Sequence, residues 1–153
     1  MAAVPAPLVR LRPAEPRDAP AIAVVAAASP GAAPWSANQY AAAAGGDYEG
    51  WIAEEDSRLV GFLFMRVAAD EMEILNLAVA PGRRKLGIAS RLIDRALARA
   101  KSSGAARAFL EVRPSNIAAA ALYAKHGFAP ASRRACYYSN PVEDALVLSK
   151  KLS

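Results

Sequence analysis

Three polar residues close together in the chain have the types that proton transfer requires. Glu111 interrupts an apolar run, Asn116 follows it closely, and Tyr123 comes two helical turns after Asn116. A carboxylate is costly to bury unless it is paired, and burial without a partner raises its pKa toward neutrality, which suits a general base. Glu111 is therefore a candidate base. The alternative is an ion pair with Arg113 or another cation on a solvated face of a sheet.

The other two residues each have a structural and a chemical interpretation. Asn116 lies where a helix N-cap belongs, so capping alone could explain it. Tyr123 lies on the same helix face, about 10 Å further along the helix axis. It could pack in the core with its hydroxyl at the surface. It could also be an acid, because a phenol with a pKa of about 10 can protonate a leaving thiolate.

A basic turn upstream is a candidate anion site. An apolar run ends at a Pro-Gly pair, the cations Arg83, Arg84 and Lys85 follow, and a helical pattern begins at Ile88 after Gly87. The first N–H groups of a helix have no partner inside it, and the helix dipole adds positive charge there, so a phosphate or pyrophosphate is favoured. Glycine lets the backbone approach such a ligand closely. The alternative is an ordinary basic surface turn.

Hydrophobic periodicity predicts the elements that position these residues. Alternating or apolar runs indicate strands, and a period of 3.6 residues indicates helices. Asp18 is expected to cap the first helix, and Ser36 with Gln39 should form a capping box at the second. The order is βααβββαβαββ, an α/β (α+β) class fold in one domain over residues 1–153, with strands at 8–11, 48–53, 59–67, 72–79, 108–112, 128–138 and 145–152, and helices at 22–28, 36–44, 88–101 and 117–125.

Composition excludes several classes of function. The chain of 153 residues is 54% hydrophobic and 22% charged, and it lacks both a long uncharged apolar run and a secretory signal pattern. With a single cysteine and a single histidine, neither a disulfide framework nor a metal site is expected, and a reducing cytoplasm is indicated. The net charge of +5 permits anionic partners. The sequence contains no basic helix interleaved with aromatics, so direct nucleic-acid reading is not expected.

Several of these stretches, in the same order, resemble the GNAT family of acetyltransferases. Val-Ala-Pro-Gly-Arg-Arg-Lys-Leu-Gly-Ile-Ala at 79–89 is similar to the family's acetyl-CoA motif, Arg/Gln-x-x-Gly-x-Gly/Ala. Leu-Glu-Val-Arg-Pro-Ser-Asn at 110–116, Ala-Leu-Tyr at 121–123 with His-Gly-Phe at 126–128, and Arg-Arg-Ala-Cys-Tyr-Tyr at 133–138 resemble the ribosomal-protein alanine N-acetyltransferases of the RimI type. The resemblance implies the family's fold: a mixed, mostly antiparallel sheet of about seven strands with helices on both faces.

The resemblance also implies roles. Glu111 would be the base, acting through water, and Tyr123 the acid for the CoA sulfur. The backbone at 77–79 would pair with the pantetheine arm, residues 84–90 would wrap the pyrophosphate, and Trp35, Tyr137 and Tyr138 could line the substrate entrance, or else be ordinary core and rim aromatics. The implied cofactor-binding set is Leu77, Ala78, Val79, Arg84, Lys85, Leu86, Gly87, Ile88, Ala89, Ser90 and Asn116.

The function implied is acetyl transfer from acetyl-CoA to a protein N-terminus, with the alanine of ribosomal protein S18 as the expected target, by a cytoplasmic monomer or weak dimer that uses no metal. Direct attack by an α-amine fits, because an amine with a pKa of about 8 can be deprotonated by a weaker base than a lysine, whose pKa is near 10.4. The Val79 N–H is a candidate donor to the oxyanion. Acylation of Cys136 is the less favoured route, and His126 has no assigned role. The alternatives are acetylation of a small amine or lysine, and a non-catalytic acyl-CoA-binding module.

Overall fold

Seven strands and four α-helices follow one another in the computed structural model, which describes residues 8–152. The first seven residues, with most of the segment used above to argue against a secretory signal, lie outside the described residues. The predicted order βααβββαβαββ is confirmed. The elements are β1 (Val9–Pro13), α1 (Ala19–Ala27), α2 (Ala37–Ala42), β2 (Glu49–Glu55), β3 (Arg58–Ala68), β4 (Glu71–Val79), α3 (Ile88–Ser102), β5 (Arg107–Val112), α4 (Ile117–Lys125), β6 (Ala129–Tyr138) and β7 (Glu143–Lys151).

All seven strands belong to one sheet in the order β1-β2-β3-β4-β5-β7-β6. Strands β4 and β5 run parallel, with α3 as the crossover between them, and the other five neighbouring pairs are antiparallel. The final strand, β7, inserts between β5 and β6, so β6 forms an edge. This confirms the predicted mixed, mostly antiparallel sheet.

Helices cover both faces of the sheet and bury a separate apolar cluster on each. The first cluster packs α3 and α4 against one face, and the second packs α1 and α2 against the other. Strand β3 shows the division: Leu63 and Met65 face the first cluster, whereas Phe62 and Phe64 face the second, and all four are fully buried. The strand is apolar on both sides, as expected for a central strand.

Strand β4 contains a bulge that determines the shape of the site. Phe64 pairs with Asn76, but the next residue, Met65, pairs with Ile74, which leaves Leu75 as an extra residue. A bulge bends its strand and increases its twist. The pairing of β4 with β5 covers only Glu71–Glu73 of β4. The two parallel strands therefore diverge beyond that point and leave a cleft between their C-terminal halves.

Local sequence signals explain most helix ends, with one exception. Ser36 and Gln39 form the predicted capping box, with bonds of 3.1 and 2.7 Å, and α4 has the predicted bounds. Asp18 is the N-cap residue of α1, as predicted, but its side chain makes no cap bond there. Its carboxylate instead accepts two bonds of 2.8 Å from the Arg12 guanidinium and one of 2.8 Å from the Glu15 N–H, both of which precede the helix.

Candidate active site

The turn before α3 leaves main-chain donors open, as an anion site requires. Gly87 is the N-cap residue, with φ 82°, and it offers no side chain to cap the first-turn amides. The first turn of α3 also contains no acidic residue. A Cβ built on Gly87 would meet nothing within 4 Å, so the space beside the turn is open. Unsatisfied N–H groups at the positive end of a 15-residue helix fit a diphosphate.

Two of the three cations near this turn are engaged by the protein itself. Arg83 Nε lies 3.0 Å from a carboxylate oxygen of the nearly buried Glu55. Arg84 donates to the Val79 carbonyl at 3.0 Å and to Ser29 Oγ, also at 3.0 Å, so its guanidinium ties the turn to the end of α1. Lys85 makes no side-chain hydrogen bond or ion pair with residues 8–152. It is therefore the cation that remains to meet an anionic ligand.

The edge of β4 that faces the cleft presents backbone groups at alternate residues. The Ala80 N–H donates to the Val60 carbonyl at 2.8 Å, and Val79 is the partner of Gly61 on β3. Because hydrogen-bonded and non-bonded pairs alternate in an antiparallel ladder, the backbone groups of Val79 and Leu77 are directed away from β3, toward the cleft. The backbone groups of Ala78 face β3. Of the three residues expected to pair with the pantetheine arm, only Leu77 and Val79 therefore direct backbone groups toward the cleft.

Asn116 combines a structural contact with a position on the cleft. Its Oδ1 accepts from the Ala119 N–H at 3.2 Å, which is the predicted N-cap bond of α4. Its amide nitrogen lies against Gly31 in the loop between α1 and α2, where an added Cβ would come within 2.5 Å of Nδ2. The loop before it is held by Glu143, which accepts from the Ser115 N–H and hydroxyl at 2.8 Å each.

Glu111 is nearly buried and has a cationic partner. Its side chain is 10% exposed, and its carboxylate lies 3.2 Å from Arg134 Nε. Arg113, the cation that sequence suggests as the partner, pairs with Glu143 at 3.3 Å instead. Arg134 is on β6 and reaches Glu111 across β7, so nothing in the local sequence indicates this contact. Tyr137 is a neighbour of the same carboxylate, which raises the pKa of its phenol.

Tyr123 lies inside the first apolar cluster with its hydroxyl at the accessible surface. Its ring packs edge-on against Phe128, with the centroids 5.8 Å apart. No described residue makes a hydrogen bond to the Tyr123 hydroxyl. Among residues 8–152, every fully buried side-chain oxygen has a hydrogen-bond partner. The Tyr123 oxygen, which has none, is therefore not fully buried and reaches the accessible surface. Burial, and then the neighbouring Tyr138, raise the pKa of Tyr123 well above its usual value, so the phenol keeps its proton at any physiological pH.

The three predicted substrate-side aromatics occupy two different places. Tyr137 and Tyr138 stack edge-to-face at 4.9 Å beside Glu111. The neighbouring Glu111 carboxylate raises the pKa of Tyr137, and burial together with the charge of Glu111 raises the pKa of Tyr138 to about 12. Trp35 instead packs over Phe64 at 5.8 Å in the second cluster. The structure therefore brings two of the three to the candidate base.

A buried amide that sequence reasoning missed fixes the loop above the cleft. Asn76 Oδ1 accepts from the Ala33 N–H at 3.0 Å, and Nδ2 donates to the Tyr40 hydroxyl at 2.9 Å. Asn76 is 4% exposed and interrupts the otherwise apolar run 74–79 of β4. A polar residue in such a run is the signal that could have indicated it, because buried polar groups need partners.

These features together describe an acyl-transfer site. A diphosphate fits the α3 turn, an extended arm fits the free edge of β4, and a carboxylate and a phenol stand on the neighbouring β5 and α4. Among the described residues, no group of His, Cys, Asp and Glu side chains is arranged to hold a metal. The same residues include no helix that is long and apolar enough to cross a bilayer.

Comparison with known proteins identifies the class. The family model described as "Acetyltransferase (GNAT) family" matches residues 17–128. The chain belongs to this family and is an acetyltransferase that uses acetyl-CoA as its cosubstrate.

Similar proteins include a named subgroup of that family. The chain is 32% identical over 122 residues to the ribosomal protein bS18-alanine N-acetyltransferase of Escherichia coli K12, covering 78% of this chain and 82% of the relative. It is 31% identical over 108 residues to the same-named enzyme of Haemophilus ducreyi, covering 71% and 74%. The crystal structure of the ribosomal-protein-S18-alanine N-acetyltransferase from Escherichia coli superposes with a TM-score of 0.85 at 29% identity, covering 95% of each chain.

Proposed function

We propose that the protein acetylates the α-amino group of a protein N-terminus, and that the N-terminal alanine of ribosomal protein S18 is its substrate. The observation that carries the proposal is the Glu111 carboxylate, nearly buried and flanked by Tyr137, in the C-terminal half of the strand beside the cleft. The relatives named for S18-alanine acetylation support the choice of amine. Residues 1–153 act as one domain, a monomer or weak dimer, in the cytoplasm.

Each step of the transfer has a group in this chain. The amine lone pair attacks the thioester carbonyl carbon, and Glu111 takes the proton released from the nitrogen, directly or through one water. The Val79 N–H, directed into the cleft, donates to the oxyanion. The carbon–sulfur bond then breaks, and the Tyr123 hydroxyl gives its proton to the departing sulfur. Cys136 is exposed and has no part in this direct route.

The balance of acid and base strengths favours an α-amine as the nucleophile. Glu111 is the candidate base, and Arg134 Nε lies 3.2 Å from its carboxylate. An α-amine has a pKa of about 8 and loses its proton more easily than a lysine near 10.4, which needs a stronger base. This difference between the two amines supports the N-terminal substrate over a lysine.

An uncovered part of the sheet beside Glu111 can receive the peptide. A small cavity of about 160 Å³ is lined by Arg66, Glu73 and Phe109 among others. Arg66 and Glu73 form an ion pair at 2.8 Å. Phe109 lies two residues before Glu111 on β5, so the two side chains share one face of the sheet and the cavity is on the side of the candidate base. We propose that side chains following the substrate's first residue contact this surface.

The test is a substrate panel with purified protein and acetyl-CoA, read as release of free CoA thiol. An Ala-starting S18 peptide should react, whereas the same peptide with a blocked N-terminus and an internal lysine should not. Polyamines or aminoglycosides that outcompete the peptide would favour the small-amine alternative. CoA binding without turnover on any amine would favour a non-catalytic module.

Two variants test the assigned groups. Glu111→Gln should lower kcat by about 10² or more, whereas Glu71→Gln, an exposed carboxylate on β4, should not. Tyr123→Phe should lower kcat by about 10², the low end for acid catalysis, because a proton moves uphill from a phenol with a raised pKa to a thiolate with a pKa of about 8.5. A Glu111→Gln variant as active as the parent would refute the assigned base.

A further inference from the structure

Three side chains at the junction of α3 and α4 form a series of close polar contacts that the proposed reaction does not use. Ser90 Oγ lies 2.9 Å from His126 Nε2, and His126 Nδ1 lies 3.2 Å from an Asp94 carboxylate oxygen. Ser90 is in the first turn of α3, Asp94 is one turn further on the same face, and His126 is the C-cap residue of α4. The series therefore joins the open end of α3 to the helix that carries Tyr123.

The ring of His126 has a fixed orientation. Nδ1 faces the Asp94 carboxylate and Nε2 faces Ser90 Oγ, so the two neighbours on α3 fix which ring nitrogen meets the serine. The His126 side chain is 10% exposed. Its backbone N–H donates to the Tyr123 carbonyl at 3.0 Å, which fixes the residue to the last turn of α4.

This ring determines where the Ser90 hydroxyl lies. A serine inside a helix often bonds back to a carbonyl of the preceding turn, which would turn the hydroxyl away from a ligand. Here the imidazole is its partner, and the residue stays beside the open amides that follow Gly87. A hydroxyl has one proton and two lone pairs, so Ser90 Oγ can accept from an Nε2–H of the ring and give its own proton to a phosphate oxygen. The proposed arrangement therefore has the imidazole Nε2 as the donor and Ser90 Oγ as the acceptor.

We infer that His126, oriented by Asp94, is a positioning residue that holds the Ser90 hydroxyl ready to donate to the diphosphate of acetyl-CoA. This inference rests on the cofactor position proposed above. It gives the diphosphate a side-chain donor in addition to the backbone amides and Lys85. The histidine acts through the serine and does not itself touch the cofactor.

The same three residue types form the catalytic triad of serine hydrolases, but the setting here differs. The aspartate of such a triad is buried, whereas the Asp94 side chain is 71% exposed. Ser90 also lies at the diphosphate end of the cleft, away from Glu111 and Tyr123, where the thioester belongs. The series is therefore suited to binding the cofactor and not to attacking its acyl group.

The experiment compares a full and a truncated acyl donor. The dissociation constant of CoA is measured by calorimetry, and kcat/KM is measured with acetyl-CoA and with acetyl-pantetheine, which lacks the diphosphate. The variants are Ser90→Ala, His126→Ala, the double variant and His126→Gln, with Ser102→Ala at the far end of α3 as the matched control. Melting temperatures check that each variant folds.

Ser90→Ala and His126→Ala should each weaken CoA binding about 10-fold, the value of one hydrogen bond to a charged group. The double variant should be no weaker than either single one, because both act through one hydroxyl. His126→Gln should recover part of the affinity, and acetyl-pantetheine should react equally with all variants.

Three results would overturn the inference: an equal loss with acetyl-pantetheine, additive losses in the double variant, or CoA affinity unchanged in His126→Ala. Loss of acetyl-CoA hydrolysis in Ser90→Ala, measured without any amine, would overturn it in favour of a hydrolase. Acetylation of the S18 peptide by the parent protein tests the proposed function independently of these variants. If the parent does not acetylate the peptide while the differences in CoA binding hold, the proposed amine is wrong and the positioning role stands.

Discussion

Two glycines at opposite ends of α3 allow a sharp test of where the diphosphate binds. Gly87 precedes the helix with φ 82°, and Gly104 follows it with φ 92°. A Cβ built on either residue meets nothing within 4 Å, so replacement by alanine introduces backbone strain without a clash. The two substitutions should therefore have the same effect on stability and different effects on the cofactor.

The stability effect follows from the left-handed conformation. An L-residue there costs about 1–2 kcal/mol, and the smaller conformational freedom of alanine in the unfolded chain offsets about 0.4–1 kcal/mol of that cost. Each variant should lose about 1 kcal/mol, which for a chain of this size is a decrease in melting temperature of about 2–4 °C.

Gly87→Ala should also weaken CoA binding, and Gly104→Ala should not. The added methyl group stands beside the first-turn amides and keeps a diphosphate from approaching at least one of them. A hydrogen bond to a charged group contributes about 1.5–3 kcal/mol, so the dissociation constant should rise by about 10- to 150-fold. Calorimetric titration of both variants with CoA measures this. Equal affinity in the two variants would show that the diphosphate does not bind at this turn.

Two other predictions concern charged pairs. Arg134→Met leaves the nearly buried Glu111 carboxylate without its cation and should lower the free energy of unfolding, measured in urea, by about 1–3 kcal/mol. Arg133→Met, equally exposed but paired with the more exposed Asp144, should lower it by about 0–1 kcal/mol, and equal losses in the two variants would contradict this reasoning. Asp18→Asn should lower the free energy of unfolding by about 2 kcal/mol at pH 7. The neighbouring guanidinium holds the pKa of Asp18 below its usual value, so its contribution is present above about pH 4 and is lost as the pH falls through the folded-state pKa. Urea unfolding from pH 7 to pH 3 should show the difference between Asp18→Asn and the parent shrinking, and a constant difference would refute it.

The elements that local signals specify could be predicted from sequence. Helix α4 has its expected bounds because an asparagine caps its start and Gly127, at φ 89°, follows its C-cap. The start of α3 at Ile88 follows a glycine that can adopt the left-handed region. The capping box of α2 forms as the Ser36 and Gln39 spacing indicates.

The features that create the cleft could not be predicted, because they depend on pairing between distant residues. Residues 72–79 are apolar at nearly every position, so the sequence does not reveal where the alternation of faces changes. The bulge at Leu75 makes that change: Met72 and Ile74 face the α3 side before it, and Leu77 faces the same side after it. The Arg134–Glu111 pair likewise depends on strand order, with β7 inserted between their strands.

The divergence of β4 from β5 explains why the candidate residues are scattered in sequence and close in the fold. Helix α3 follows β4 and helix α4 follows β5, so both helices begin at the carboxyl ends of the one parallel pair, where open α/β sheets bind their ligands. Gly87 and Asn116, the two N-cap residues, therefore belong to the same end of the sheet as Val79 and Glu111. Continued pairing would join the cleft-facing amides of β4 to β5, and no cofactor arm could then reach them. Beyond the bulge at Leu75 those amides stay free, while β4 remains paired with β3 along its length.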